Sequence, residues 1–119
     1  MLKILFVFFD CFSLRLSPIQ NNILRLLSNE DIIFAYEPVW SIGTGIIPKQ
    51  YELINNIVFI KKLLKKRFKS KNSKVLYGGS VNPKNINELR QINQIDGFLI
   101  GGASQNSNKF IDIIKKTFN

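Results

Sequence analysis

Short apolar runs alternate with amphipathic stretches along this chain, and that alternation restricts its fold more than any other feature. Leu2 to Phe9, Ile32 to Tyr36, Lys74 to Tyr77 and Gly97 to Ile100 read as strands. Ile32 to Tyr36 is continuously apolar, as a strand covered on both faces is. Helical patterns lie between them. Pro18 to Leu27 carries Ile19, Ile23, Leu24 and Leu27 at helical spacing, and Ser28 to Asp31 is a turn. Pro48 suits the first turn of a helix running to about Phe68, with Leu53, Ile54, Ile57, Ile60, Leu64 and Phe68 as its inner stripe. Lys69 to Ser73 is a polar link. Asn82 is placed to cap a further helix with Pro83 at its first position, turning Ile86, Leu89 and Ile92 inward. After a loop at Ala103 to Asn108, Lys109 to Phe118 forms the last helix, with Phe110, Ile113 and Ile114 inward. Strand followed by helix, repeated, predicts an α/β fold with a parallel sheet.

The 119 residues suffice for one small domain, and an apolar content of 45% argues against disorder. The formal charge is +9, and the basic residues bunch between Lys61 and Lys74. Two readings stand: a solvated helix face in a lysine-rich composition, or a basic nucleic-acid-binding module using the Lys61–Lys74 surface. No RNP-like aromatic motif, C2H2 spacing or heptad run accompanies it. Cys11 is the only cysteine, so no internal disulfide or thiolate cluster can form, which fits a reducing, cytoplasmic setting. Histidine is absent, which removes Ser-His and Cys-His devices and the commonest zinc ligand. No metal or cofactor is expected. Ile4 to Phe9 is too short to cross a bilayer, and no small-residue cleavage site follows it. It reads as a buried strand or a damaged chain start, and no membrane partner is expected.

Three successive strands end in distinctive residues at their carboxyl side: Glu37, then Gly78-Gly79-Ser80, then Gly101-Gly102. In parallel α/β folds that side binds ligands. A carboxylate leaving an apolar strand is partly desolvated, and so a stronger base than one in water. Pro38 stiffens one end of the segment behind Glu37, while Gly43 and Gly45 loosen the other, as in a loop that opens for substrate and closes for reaction. The alternative is a surface carboxylate before an ordinary turn. The glycine pairs leave backbone N–H groups free to approach an anion, with Ser80 adding a hydroxyl. Their alternative is two tight turns needing positive φ.

Ala35-Tyr36-Glu37-Pro38-Val39-Trp40-Ser41-Ile42-Gly43-Thr44-Gly45 closely resembles the lid segment of the triosephosphate isomerase family. Tyr77-Gly78-Gly79-Ser80-Val81 resembles that family's seventh loop, and Asp96 to Ser104 its eighth strand and loop, in the same order and spacing. The resemblance covers about Gln20 to Lys116. It implies a partial (β/α)8 barrel, the last three to four βα units, over 20–119. Residues 1–19 match nothing in the family convincingly and are read as a degraded fifth strand or a shifted reading frame.

The resemblance also implies roles. Glu37 is the base that moves a proton between neighbouring carbons of a triose phosphate, interconverting glyceraldehyde 3-phosphate and dihydroxyacetone phosphate in glycolysis and gluconeogenesis. Pro38, Val39 and Trp40 form one hinge of the lid, and Ser41, Ile42, Gly43, Thr44 and Gly45 its tip. Gly43, Ser80, Gly101 and Gly102 hold the phosphate. Tyr77 and Ser80 latch the lid, and Ile42 and Leu99 shield the base. The family is usually homodimeric, about twice this length, and built of eight βα units.

The departures are specific. Ser41 stands where the family usually has Ala, and Ile46-Ile47-Pro48 replaces a second hinge that is commonly Lys-Thr-Ala. The family's first-strand Asn and Lys and its electrophilic His have no counterpart here. A partial barrel leaves strand edges unpaired, and nothing here would polarise the carbonyl, so the chain is expected to be inactive alone: either one part of a split enzyme that a complementary N-terminal half completes, or a remnant of a truncated gene.

Overall fold

The computed structural model describes residues 3–9, 32–67 and 73–119. Its strands are β1 (Lys3–Phe9), β2 (Ile32–Pro38), β3 (Lys74–Tyr77) and β4 (Gly97–Phe98). Its α-helices are α1 (Gln50–Arg67), α2 (Ile86–Leu89) and α3 (Ser107–Phe118), and short 3-10 helices cover Val39–Ser41 and Gly102–Gln105. The expected helix over Pro18 to Leu27, the turn at Ser28 to Asp31, Phe68, and most of the Lys69 to Ser73 link lie outside the described residues.

The strands form one sheet in chain order, β1-β2-β3-β4, and every neighbouring pair is parallel. An open doubly wound sheet reverses its strand order at a switch point. No reversal occurs among the described strands, so the sheet winds one way, as a segment of a βα barrel does. The register sets Glu37 beside Phe8, Tyr36 beside Tyr77, and Tyr77 beside Phe98.

Burial follows the periodicities. On α1, Leu53, Ile57, Ile60 and Leu64 recur at helical spacing and are at most 2% exposed. They join Phe34, Tyr36, Val75 and Tyr77 of the sheet in one core, with Ile86, Leu89, Ile92 and Ile113 completing it. Each such aliphatic side chain contributes roughly 1.5–3 kcal/mol on burial. On the opposite face of α1, Lys62, Lys65 and Lys66 are exposed, whereas Lys61 pairs with Asp96 at 2.7 Å. The Asp96 carboxylate also accepts from the Val75 N–H at 2.8 Å. It therefore ties α1, β3 and the start of β4 together at the amino end of the sheet.

Several boundaries differ from the sequence expectation, each for a local reason. Pro48 lies ahead of α1 rather than in its first turn. The Glu52 carboxylate accepts from the Lys49 N–H at 3.2 Å, and this cap sets the helix start. Asn82 does cap, its side-chain oxygen accepting from Lys84 N–H at 2.9 Å and Asn85 N–H at 3.3 Å. Asn85 reaches back to the Asn82 N–H at 2.9 Å, and this reciprocal pairing holds 83–85 as a turn, so α2 spans only Ile86–Leu89. β4 has two residues because its ladder with β3 begins at Leu76–Gly97 and stops at Tyr77–Phe98, where β3 itself ends, although the Leu99 N–H still bonds to the Tyr77 carbonyl at 3.0 Å.

Ala103 to Asn108 is not an open loop. It holds the second 3-10 helix and the start of α3, capped by Asn106, whose side chain accepts from the Lys109 N–H at 3.0 Å. Ile113 is buried as expected, but Phe110 and Ile114 are 37% and 41% exposed. They border a shallow apolar groove with Ile92, Ile95, Phe98 and Ile100, and no described residue covers it.

Candidate active site

The carboxyl ends of β2, β3 and β4 meet at a cleft of about 1030 Å³. Ladder bonds bring the three strand exits to one level. The Gly78 N–H bonds to the Tyr36 carbonyl at 2.9 Å, and the Leu99 N–H to the Tyr77 carbonyl at 3.0 Å. Glu37, Ile42, Gly43, Gly45, Ser80, Leu99, Gly101 and Gly102 all line this cleft.

Glu37 is the penultimate residue of β2 and is half-buried. Desolvation pushes its carboxyl above the usual carboxylate range. Its side chain lies across Gly78. A Cβ there would fall 2.6 Å from the Glu37 Cγ and 3.0 Å from its Cδ. Gly79 is crowded likewise, since its Cβ would sit 2.5 Å from the Tyr77 hydroxyl and 2.8 Å from the Ser41 Oγ. Neither glycine has positive φ. Turn conformation is therefore not why they are glycine, and close packing of neighbouring side chains is.

The segment behind Glu37 is folded onto β3. Pro38 is extended, and Val39–Ser41 forms a 3-10 turn that leaves Val39 and Trp40 56% and 41% exposed. Gly43 and Gly45 take φ of +70° and +78°, the left-handed conformation that glycine adopts freely. Thr44 donates from both its N–H and its hydroxyl to the Ser41 carbonyl, at 3.3 and 3.0 Å. The Gly45 N–H donates to the Ser80 hydroxyl at 2.7 Å. Ser80 has φ +49°, rare for a residue with a side chain, and the amides of Asn82 and Asn85 brace its carbonyl at 3.2 and 2.8 Å. Of these, only Asn82 reads as a helix cap in the sequence, and the bracing of Ser80 carries no local sequence signal.

Pro38, Val39, Trp40, Ser41, Thr44 and Tyr77 do not line the cleft. Tyr77 and Ser41 are fully buried beneath it. Burial pushes the Tyr77 phenol up to about 12. Gly101 and Gly102 are exposed on the opposite rim, at the start of the Gly102–Gln105 turn. The Gly101 carbonyl accepts from the Ser104 N–H and hydroxyl at 2.9 and 2.7 Å. The N–H groups that open such a turn have no partner within it. Lys84 and Lys109 also line the cleft, in stretches the sequence marked only as a helix start and a last helix. Among the described residues, no group of three or more acidic or cysteine side chains could hold a metal ion. No helix among them is long and apolar enough to cross a membrane.

Comparison with known proteins agrees with this architecture. The family model described as Triosephosphate isomerase matches residues 16–117. A triosephosphate isomerase of Thermodesulfovibrio yellowstonii is 39% identical over 101 residues, covering 83% of this chain and 41% of the relative. One of Dictyostelium discoideum is 45% identical over 71% of this chain and 34% of the relative. One of Mycoplasmopsis agalactiae is 48% identical over 70% and 30%. The chain thus spans well under half the length of these curated relatives. A match running through nearly all of this chain, on a sheet that winds one way and gathers the three motifs at one end, means that the chain belongs to the triosephosphate isomerase family.

Proposed function

We propose that this chain supplies the proton-transferring part of a triosephosphate isomerase, with Glu37 as the base. In this reading Glu37 takes a proton from the carbon beside the carbonyl of glyceraldehyde 3-phosphate and returns it to the former carbonyl carbon, while the hydroxyl proton passes to the former carbonyl oxygen, giving dihydroxyacetone phosphate, or the reverse. Triosephosphate isomerase is itself a standard worked example of tuned acid–base chemistry, so that reaction comes from the family and not from this chain's geometry. The observation that carries the reading is the Glu37 carboxylate lying over Gly78, desolvated, in a cleft whose far side is Gly101 and Gly102.

The other roles follow from position. The Gly43, Gly101 and Gly102 backbones and the Ser80 hydroxyl reach the same cleft without bulky side chains in the way, which suits a phosphate. Pro38–Gly45 is the lid, and its bond to Ser80 holds it down. Ile42 and Leu99 flank the cleft and keep water from Glu37. The chain contains no histidine. In this reading the group that polarises the substrate carbonyl therefore comes from a complementary N-terminal portion, which also completes the barrel over 20–119. One such donor is worth roughly 10²- to 10³-fold in rate. The homodimer and the cytoplasmic, glycolytic setting belong to that completed protein, with residues 1–19 contributing its fifth strand through β1. The test is isomerisation of glyceraldehyde 3-phosphate by the chain mixed with the N-terminal portion of a family member. Activity that disappears in Glu37→Gln supports the reading, and activity indifferent to that change refutes it.

A further inference from the structure

Ser41 is the one non-aromatic polar residue buried among the described residues, at 0% exposure. It sits between the two ends of the lid. Its hydroxyl donates to the Ile46 carbonyl across the loop, and its oxygen lies 3.3 Å from the Tyr77 hydroxyl on β3. A serine hydroxyl has one proton. With that proton on Ile46, the Tyr77 phenol must be the donor in the second bond, and a phenol that keeps its proton to about pH 12 can do so throughout the ordinary range. Pro48, just beyond, has no N–H with which to tie down the far end of the loop. The Ile46 carbonyl takes that part instead.

We propose that Ser41 is a positioning residue of the lid, its hydroxyl clamping both ends of the loop to Tyr77. The inference rests on the reading of Pro38–Gly45 as a lid and gives Ser41 a role within it. Two further observations bear on it. The Ser41 carbonyl already holds Thr44 through two bonds, and Thr44 Oγ1 accepts from the Ile46 N–H at 3.1 Å, so the loop from 41 to 46 closes around this one residue. Gly79 leaves the clamp its room, since any side chain there would collide with both hydroxyls. The lid is thus fastened twice, beside its first hinge by Ser41 to Tyr77 and at its far end by Gly45 to Ser80. The far end can let go while the hinge side keeps its register.

Trp40, the single tryptophan, adjoins Ser41 in the lid and reports its position without substrate. The test is acrylamide quenching of Trp40 fluorescence in the full chain, its Ser41→Ala and Tyr77→Phe variants, and the double variant, with far-UV circular dichroism on each. A buried hydrogen bond holds such an equilibrium by a factor of roughly five. Ser41→Ala is therefore expected to raise the quenching constant about twofold or more with the dichroism unchanged, and the double variant to add nothing, because both changes remove one shared bond. Quenching in Ser41→Ala equal to that of the parent, or additive effects in the double variant, would overturn the clamp. If Ser41→Ala loses its dichroism, Tyr77→Phe carries the comparison, and unchanged quenching there overturns it equally. Because the quenching needs no substrate, a completed barrel that stays inactive while Ser41 and Tyr77 are coupled would refute the proposed function alone, and an active completed barrel with uncoupled residues the clamp alone.

Discussion

Glu37 and Gly78 form a pair in which one residue's chemistry depends on the other's lack of a side chain. Gly78→Ala would place a methyl 2.6 Å from the Glu37 Cγ and push the carboxylate off its position. A displacement of about 1 Å can cost roughly 10²-fold in rate, so the variant should lower kcat of the completed barrel by about that factor while leaving its Tm nearly unchanged. The raised Glu37 carboxyl also makes a prediction about pH. Between its unfolded and its higher folded titration points, the folded chain binds more protons. The stability this contributes is fully present below the unfolded value and is lost as pH rises through the folded one. Urea unfolding across that window should show the loss, and Glu37→Gln should abolish it. The sequence pointed to both residues, but for Gly78 it offered turn conformation and anion approach. The actual reason, a neighbour's side chain crossing from the adjacent strand, is a tertiary contact that one sequence does not display.

Among the elements, those whose register follows from periodicity were legible. The α1 stripe and β2 and β3 fall where their apolar spacing places them, because each buries a face against the other. What escaped was set by side chains bonding to backbone: the Asn82–Asn85 pair that shortens α2, the Glu52 cap that excludes Pro48 from α1, and the Asn106 cap that starts α3 early. Phe110 and Ile114 were misplaced because periodicity shows that a helix has an apolar face, not what that face meets. At this scale Asp96 is a polar link among three elements. Asp96→Ala leaves the buried Val75 N–H unpaired and removes the partner of Lys61, costing about 1–3 kcal/mol. A fall in Tm of roughly 4–8 °C per kcal/mol is expected by calorimetry, where Lys65→Ala, on the exposed face, should change little.

As a whole, the described sheet has two open edges, at β1 and β4, and an apolar groove beside the second. Unpaired parallel edges and exposed Phe110, Ile114 and Phe118 favour association. Sedimentation of the chain alone should show self-association that a complementary N-terminal portion suppresses. That the motif residues Glu37, Gly43, Ser80, Gly101 and Gly102 share one cleft was legible because they cluster at strand ends, whereas what the open edges and the groove meet was not, because no described residue covers them. In the proposed reading, Glu37 and its cleft carry out the proton transfer and need only the complementary portion. That reading is tested most directly by assaying glyceraldehyde 3-phosphate isomerisation with the chain alone and with a separately produced N-terminal portion of a family member. Activity only in the mixture, lost in Glu37→Gln, is the predicted result. A mixture that assembles and stays inactive, or a chain active by itself, would contradict it.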